Sequence, residues 1–244
     1  MTAPALKAAP AEFLRVAGLH AFYGESHILH GVDFSVGTGE LVTLLGRNGS
    51  GRTTTLKAIV GLVEKRTGSV VVNGRETITM PSHRIVHLGI GYCPEERGIF
   101  ASLSCEENLM LPPPLKGVGK GMSVDEIYAM FPNLAERRHS QGTRLSGGEQ
   151  QMLAVGRILR TGARLLLLDE ISEGLAPVIV QALARMIHTL RGKGYTVVMV
   201  EQNFRFAAPL ADRFYVMEHG AIVEAFESSE LERKMPTLNA LLGV

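Results

Sequence analysis

The sequence contains the stretch GRNGSGRTT, which runs from Gly46 to Thr54. Its spacing is that of a phosphate-binding loop, G-x-x-x-x-G-K-[ST], except that Arg52 stands in the lysine position. Glycines let such a loop curl until its backbone N–H groups converge on a phosphate, and the Thr53 hydroxyl is suited to hold Mg²⁺. By itself the stretch is also compatible with a glycine-rich turn between a strand and a helix. The candidate nucleotide-binding residues are Gly46, Arg47, Asn48, Gly49, Ser50, Gly51, Arg52, Thr53 and Thr54.

The segments around this loop predict the fold class. ELVTLLG before it is a short apolar run typical of a buried strand, and RTTTLKAIVGL after it has helical spacing. The same alternation returns in ARLLLLDE, PVIVQALARMIHTLRGKG and YTVVMVE, and DRFYVMEHGAIVEAF predicts a hairpin that turns at His219 and Gly220. FLRVAGL, VDFSV and SVVVNG have the pattern of further strands. We therefore predict an α/β protein with a largely parallel sheet and crossover helices.

Strand signals become rare between residue 95 and about residue 160. SVDEIYAM opens with Ser123 and Glu126 at capping-box spacing, and PNLAERR also has a helical pattern. We interpret residues 95–160 as a mostly helical insert within one domain, 13–244. Residues 1–12, which are rich in alanine and proline, are expected to form a flexible tail. No internal repeat is apparent, so we expect one catalytic unit.

A second motif, LLLLDE, covers Leu165–Glu170 and predicts a buried strand that ends in two carboxylates. In enzymes with a phosphate loop, an aspartate at such a strand end helps to hold Mg²⁺. This assigns Asp169 to the metal and Glu170 to the attacking water. An acidic helix start after a strand is the plainer alternative, but the order of the two motifs on predicted strands disfavours it.

A third motif, LSGGEQQ, precedes a helical run. It comprises Leu145, Ser146, Gly147, Gly148 and Glu149, followed by two glutamines. Free N–H groups at a helix N-terminus form an anion site, and this one has no phosphate of its own to bind. A capped helix start explains the serine but not the adjacent glycines followed by Glu-Gln-Gln.

Composition limits the classes of function. The 244 residues include 25 basic and 24 acidic side chains, a net charge of +1 that argues weakly against a nucleic-acid partner. The two cysteines, Cys93 and Cys105, fit neither a zinc site nor a redox pair, and we expect free thiols. We find no secretory signal and no apolar run near the ~20 residues that span a bilayer. A membrane part would have to come from another chain.

Taken together, these motifs resemble the ATP-binding cassette (ABC) ATPases over nearly the whole chain, from about Phe13 onward. The resemblance implies a P-loop NTPase core with an antiparallel β-subdomain and the helical insert. It implies that LSGGEQQ completes the ATP site of a facing subunit and that Tyr23 stacks on adenine. It also implies Mg²⁺ bound with ATP, Asp169 as a metal ligand together with Thr53, and Glu170 as the catalytic base.

Three stretches are most similar to the ATPase subunits of branched-chain amino acid importers: GYCPEERGIFASLSCEENL, LLLLDEISEGLAP and VVMVEQNFRFAAPLADRFYVMEHGAIVE. On this resemblance Glu95 aligns with a glutamine of many cassettes, Gln202 with a γ-phosphate-contacting histidine, and EGLAP (173–177) with the segment that crosses the dimer interface. The implied partners are a second ATPase subunit, identical or related, transmembrane permease subunits and, indirectly, a solute-binding protein, with no nucleic acid. The implied location is cytoplasmic, peripheral on the inner face of the cell membrane.

Two positions depart from the family pattern. Arg52 replaces lysine, and Ile171 follows Glu170 where the family usually has proline. Losing the proline frees φ and restores an N–H group, so we expect a less rigid segment at Glu170. Both changes favour ATP binding with slow hydrolysis.

Other interpretations stay open. A cassette that senses nucleotide but hydrolyses it poorly fits Arg52 and Ile171, and a non-transport ABC ATPase acting on DNA or ribosomes is disfavoured by the charge and by the absence of a long coiled-coil insertion. His83 and His87, four residues apart on a predicted helix, have metal-binding spacing without a third ligand, so we expect a solvated face. GVGKGMS (117–123) has no strand before it and is expected to be a connector.

Overall fold

The computed structural model describes residues 11–243, and residues 1–10 of the expected tail lie outside this range. A first sheet of four antiparallel strands has the order β2-β1-β4-β5. Its central strand β1 pairs Leu14 with Val36 on one side and with Val72 on the other. The strands are β1 (Glu12–Tyr23), β2 (Ser26–Gly37), β4 (Lys65–Val72) and β5 (Arg75–Glu76).

The second sheet has six strands in the order β10-β9-β3-β8-β7-β6. All neighbours are parallel except β10, which forms the expected hairpin with β9. Because β3 and β7 both flank β8, their carboxyl ends, Gly46 and Asp169, meet at the same edge. The strands are β3 (Leu41–Gly46), β6 (Ile90–Cys93), β7 (Leu165–Asp169), β8 (Thr196–Glu201), β9 (Arg213–Glu218) and β10 (Ala221–Glu227).

The helices fall into two groups. Between β6 and β7 lie α3 to α6, and three of these four helices begin with a serine–glutamate capping box, at Ser104, Ser123 and Ser146. The bounds here are α3 (Cys105–Met110), α4 (Val124–Met130), α5 (Pro132–Glu136) and α6 (Gly147–Thr161). The others are α1 (Arg52–Ile59), α2 (Ser82–Ile85), α7 (Pro177–Gly192), α8 (Phe204–Ala207) and α9 (Leu231–Leu242).

The apolar residues of the parallel strands build two cores, one on each face of the six-stranded sheet. Successive side chains of a strand point to opposite faces. In β7, Leu165 and Leu167 belong to one core, while Leu166 and Leu168 belong to the other. Burial on both faces explains why these strands are uninterrupted apolar runs rather than alternating ones.

One helix is shorter than the sequence predicts. The α-helix that carries His83 ends at Ile85, and His87 lies in a following 3₁₀ turn, Val86–Leu88. Both histidines are exposed, so the expectation of a solvated surface agrees with their position while the continuous helix is wrong. Cys93 and Cys105 are free and buried. Within residues 11–243, no helix is both long and apolar enough to cross a bilayer.

Candidate nucleotide site

The loop between β3 and α1 has the curled shape that its glycines allow. A Cβ on Gly46 would lie 2.6 Å from the carbonyl oxygen of Met217, so a side chain does not fit there. Gly51 caps α1 with a φ of +102°, a conformation that L side chains rarely adopt. The hydroxyl oxygen of Ser50 is buried without a hydrogen-bond partner within the described residues, as expected where an anion supplies the missing contact.

This loop lines a cavity of about 400 Å³. The cavity brings the phosphate loop together with Tyr23, Glu95 and Glu170, as the sequence predicts, and it also includes Glu173. The Tyr23 side chain is 47% exposed, which leaves a ring face available for stacking. A larger cavity of about 720 Å³ lies between α5 and α7 but contains no residue of the loop, so the smaller one is the candidate site.

Thr53 and Asp169, the predicted metal ligands, are already in contact. The Thr53 hydroxyl donates to Asp169 Oδ1 at 3.0 Å, and the Tyr92 hydroxyl donates to Asp169 Oδ2 at 3.0 Å. Burial raises the pKa of Asp169 although both hydrogen bonds oppose the shift. A buried carboxylate beside a hydroxyl is a donor set that suits Mg²⁺. Sequence reasoning missed Tyr92, because only the pairing of β6 with β7 brings this side chain to Asp169.

Glu170 follows β7 with a φ of +48° and lies against Arg52. Arg52 Nη2 donates to Glu170 Oε1 at 2.8 Å and to Asn48 Oδ1 at 3.2 Å. Burial raises the pKa of Glu170 to about 7, with a contribution from Glu173, while Arg52 opposes the shift. The arginine that replaces lysine therefore contacts the predicted catalytic base through its guanidinium.

Three carboxylates converge beside this pair. One carboxylate oxygen each of Glu95, Glu170 and Glu173 lies within 4.8 Å of the other two. The sequence places Glu173 only in the interface segment and gives no sign of this convergence. Such close carboxylates repel one another unless protons or cations separate them.

Gln202 lies next to this cluster but not in the cavity of the loop. It lines an adjacent cavity of about 570 Å³ with Ser172 and Glu173, and Glu173 borders both cavities. Glu201, which sequence reasoning also missed, is buried at the end of β8 and accepts hydrogen bonds from Ser172. Burial raises the pKa of Glu201 to about 8.

The signature motif lies outside the cavity that the phosphate loop of its own chain lines. None of Leu145–Glu149 lines the cavity described above. Ser146 caps the 15-residue helix α6 by accepting from the N–H of Glu149. A Cβ on Gly148 would lie 2.7 Å from Ile179 in α7, so this glycine is required for helix packing as well. A helix N-terminus of this length presents N–H groups and a positive dipole end to an anion from outside.

Comparison with known proteins places these motifs in a family. Residues 29–173 match the model of a protein family described as "ABC transporter". A high-affinity branched-chain amino acid transport ATP-binding protein of Pseudomonas aeruginosa, BraG, is 41% identical over 91% of this chain and 96% of its own length. The probable branched-chain amino acid transport ATP-binding protein LivF of Archaeoglobus fulgidus is 36% identical over 89% and 93%.

A solved structure shows the same fold. The nucleotide-free ATP-binding cassette of an ABC transporter superposes with a TM-score of 0.80 at 21% identity, covering 95% of this chain and 98% of that one. The P-loop core with an antiparallel β-sheet and a helical insert is thus confirmed. This chain therefore belongs to the ABC transporter family, as one of its ATPase cassettes.

Proposed function

We propose that this chain is the ATP-hydrolysing subunit of an importer for branched-chain or related amino acids. The observation that carries the proposal is the convergence of the phosphate loop and Glu170 in one cavity, with Asp169 hydrogen-bonded to Thr53 of that loop. The substrate class rests on the similarity to BraG and LivF. On the inner face of the membrane, the cassette acts with a second ATPase subunit and contacts transmembrane permease subunits. A solute-binding protein delivers the amino acid to the permease.

In this proposal the residues of one chain provide only part of the site. The backbone N–H groups from Gly46 to Thr54 bind the phosphates, and Tyr23 stacks on the adenine. The facing subunit contributes the N-terminus of α6 with Ser146–Gly148 to the terminal phosphate. ATP then joins the two subunits, which explains why the signature motif does not line the cavity of its own chain.

The chemistry at the terminal phosphate is assigned to the strand ends. Thr53 and Asp169 would hold Mg²⁺, which neutralises charge on the phosphate oxygens when it is bound with ATP. Glu170 orients the attacking water and accepts its proton. Glu95 and Gln202 flank this position and are proposed to respond to the terminal phosphate. Because the bulkier, planar Arg52 replaces lysine beside the terminal phosphate, hydrolysis is proposed to be slow.

Transport assays test this function. The chain would be co-purified with its permease subunits and reconstituted into proteoliposomes. ATP would be enclosed in the lumen, on the side of the ATPase subunits, and the binding protein with its solute would be added outside. We expect uptake of radiolabelled leucine in preference to lysine, and none with Glu170→Gln. Uptake that does not require ATP, or equal uptake of leucine and lysine by the wild type, would contradict the importer assignment.

A second candidate is a nucleotide-sensing cassette with impaired hydrolysis. The ion pair between Arg52 and Glu170 favours it, because a carboxylate held by a guanidinium is less available to water. Steady-state ATPase activity of the purified subunit, alone and with its permease, separates the two. Activity that rises when permease and solute-binding protein are added supports the importer, and activity that stays at background supports the sensor.

A further inference from the structure

The side chain of Arg52, the first residue of α1 after the phosphate loop, is buried. Arg52 is only 4% exposed. Its ion pair with Glu170 is buried on both sides, with side-chain exposures of 3% for Arg52 and 9% for Glu170. Asn48, within the loop, accepts a second hydrogen bond from the same Nη2 atom. The guanidinium therefore links the phosphate loop to the end of β7.

The guanidinium is not fully satisfied by these contacts. Its other terminal nitrogen, Nη1, is buried and has no hydrogen-bond partner within the described residues. A buried charged donor without an acceptor is unfavourable, and the cavity that Arg52 lines is the place proposed for the phosphates. A guanidinium binds a phosphate through two parallel N–H bonds, which uses Nη1 together with Nη2. Glu170 holds one of those two nitrogens.

We propose that Arg52 is a positioning residue for Glu170: the guanidinium holds the carboxylate in the nucleotide-free protein, and the terminal phosphate of ATP displaces that carboxylate from it. This inference rests on the proposed ATPase function. The exchange satisfies Nη1 and releases Glu170 to orient water only when a terminal phosphate is present. Lysine, a compact point charge without a fork, does not couple the two partners in this way.

The exchange has a measurable cost. A phosphate that must displace Glu170 binds with an apparent affinity reduced by the fraction of protein in which the guanidinium is free. Removing the charge of Glu170 should therefore tighten binding of a nucleotide with a γ-phosphate. ADP lacks this phosphate, so its binding should change little.

The test is an equilibrium titration with Mg²⁺ and either ADP or the non-hydrolysable analogue AMP-PNP, at protein concentrations where gel filtration shows a monomer. We expect Glu170→Gln to tighten AMP-PNP binding by about tenfold and ADP binding by less than about twofold. Glu173→Gln is the matched control, because it removes a neighbouring carboxylate that does not contact Arg52 in this structure. In an Arg52→Gln background, Glu170→Gln should have no effect on either nucleotide.

Several outcomes would overturn the proposal. Equal tightening by Glu170→Gln and Glu173→Gln would mean that general charge, not the ion pair, opposes the phosphate. The same conclusion follows if the effect of Glu170→Gln persists in the Arg52→Gln background or is as large for ADP. Wild-type protein that binds neither nucleotide would contradict the proposed function and this inference together, whereas normal ADP binding without the selective effect contradicts the inference alone.

Discussion

Ser172 donates two hydrogen bonds to the buried carboxylate of Glu201, from its backbone N–H at 3.2 Å and from its hydroxyl at 2.7 Å. These contacts connect the segment after β7 to the end of β8. Ile171 between Glu170 and Ser172 is fully buried. The segment that lacks the usual proline is therefore anchored by a side-chain bridge and by apolar packing, where the sequence alone suggests a looser backbone.

We predict that Ser172→Ala weakens this anchor. The change removes the hydroxyl donor and leaves one oxygen of Glu201 unpaired, so the free energy of unfolding should fall by about 1–2 kcal/mol. Because Glu170 loses its orientation, kcat should fall by about tenfold while the nucleotide Kd stays the same. Urea unfolding and ATPase kinetics measure both. Ser172→Thr, which keeps the hydroxyl, is the control, and an equal loss in both variants would disprove the hydrogen bond's role.

The raised pKa of Glu201 predicts a pH-dependent stability. The carboxyl group has an ordinary pKa near 4.5, whereas burial raises it to about 8 in the folded protein. Below 4.5 both states are protonated, and as the pH rises toward 8 only the unfolded state releases the proton. Stability from this group is thus present at low pH and is lost as the pH rises, with a slope of up to about 1.4 kcal/mol per pH unit.

Glu201→Gln should remove this contribution. We expect the difference in unfolding free energy between wild type and variant to change between about pH 5 and pH 8. The free energy of unfolding of the wild type should fall relative to that of the variant as the pH rises. Denaturant titrations across that range, in one buffer series, give the difference curve. A difference that is independent of pH would show that Glu201 titrates normally.

Local patterns were sufficient for much of the fold and of the site. The phosphate loop, the strand ending at Asp169 and the capping box at Ser123 all depend on residues within a few positions of one another. Glycine spacing, apolar runs and serine–glutamate pairs encode these features directly. The alternation of strands and helices predicted a largely parallel sheet, whereas the order of its strands is known only from the structure.

The contacts that sequence reasoning missed join distant segments. Arg52 pairs with Glu170 across 118 positions, and Tyr92 reaches Asp169 across 77. Such pairings depend on which strands are neighbours and on how deeply a side chain is buried. The loop motif covers only the residues around the phosphates, so it predicts that Arg52 faces the phosphates. The structure shows that the nearby carboxylate of Glu170 is a competing partner for its guanidinium.

A site shared between two facing subunits predicts that Glu170→Gln accumulates an ATP-bound dimer. The amide keeps the shape of the side chain but does not accept the proton of water, so closure should survive while hydrolysis stops. Gel filtration with Mg-ATP should show a dimer for the variant and mainly monomer for the wild type. ADP in place of ATP is the control, and a variant that remains monomeric at millimolar ATP would contradict the shared site.

Tyr23→Ala should weaken nucleotide binding. Stacking of a base on an aromatic ring contributes about 1–3 kcal/mol per base in nucleic-acid binders, which corresponds to about tenfold or more in Kd. A fluorescent ATP analogue titrated into each variant measures the loss. Tyr23→Phe keeps the ring and should bind like the wild type. Unchanged affinity in Tyr23→Ala would remove this residue from the adenine site.

Arg52→Lys should raise kcat more than it tightens nucleotide binding. The backbone N–H groups of the loop and Mg²⁺ provide most of the phosphate contacts, and neither depends on residue 52. A charged hydrogen bond contributes about 1.5–3 kcal/mol, so an arginine shared between phosphate and Glu170 should weaken binding by about tenfold. Catalysis is more sensitive, because a misplacement of about 1 Å can cost on the order of 10²-fold in rate.

The measurement is kcat and nucleotide Kd for wild type and Arg52→Lys in the same buffer, with and without the permease. Arg75→Lys, at an exposed position of β5, is the matched control for the arginine-to-lysine change itself. Lysine at position 52 has a compact head in place of the bulkier planar guanidinium, so it contacts the terminal phosphate without displacing it from the reactive position. If Arg52→Lys leaves kcat unchanged or lower, arginine is a competent substitute in this loop and its contact with Glu170 does not limit hydrolysis.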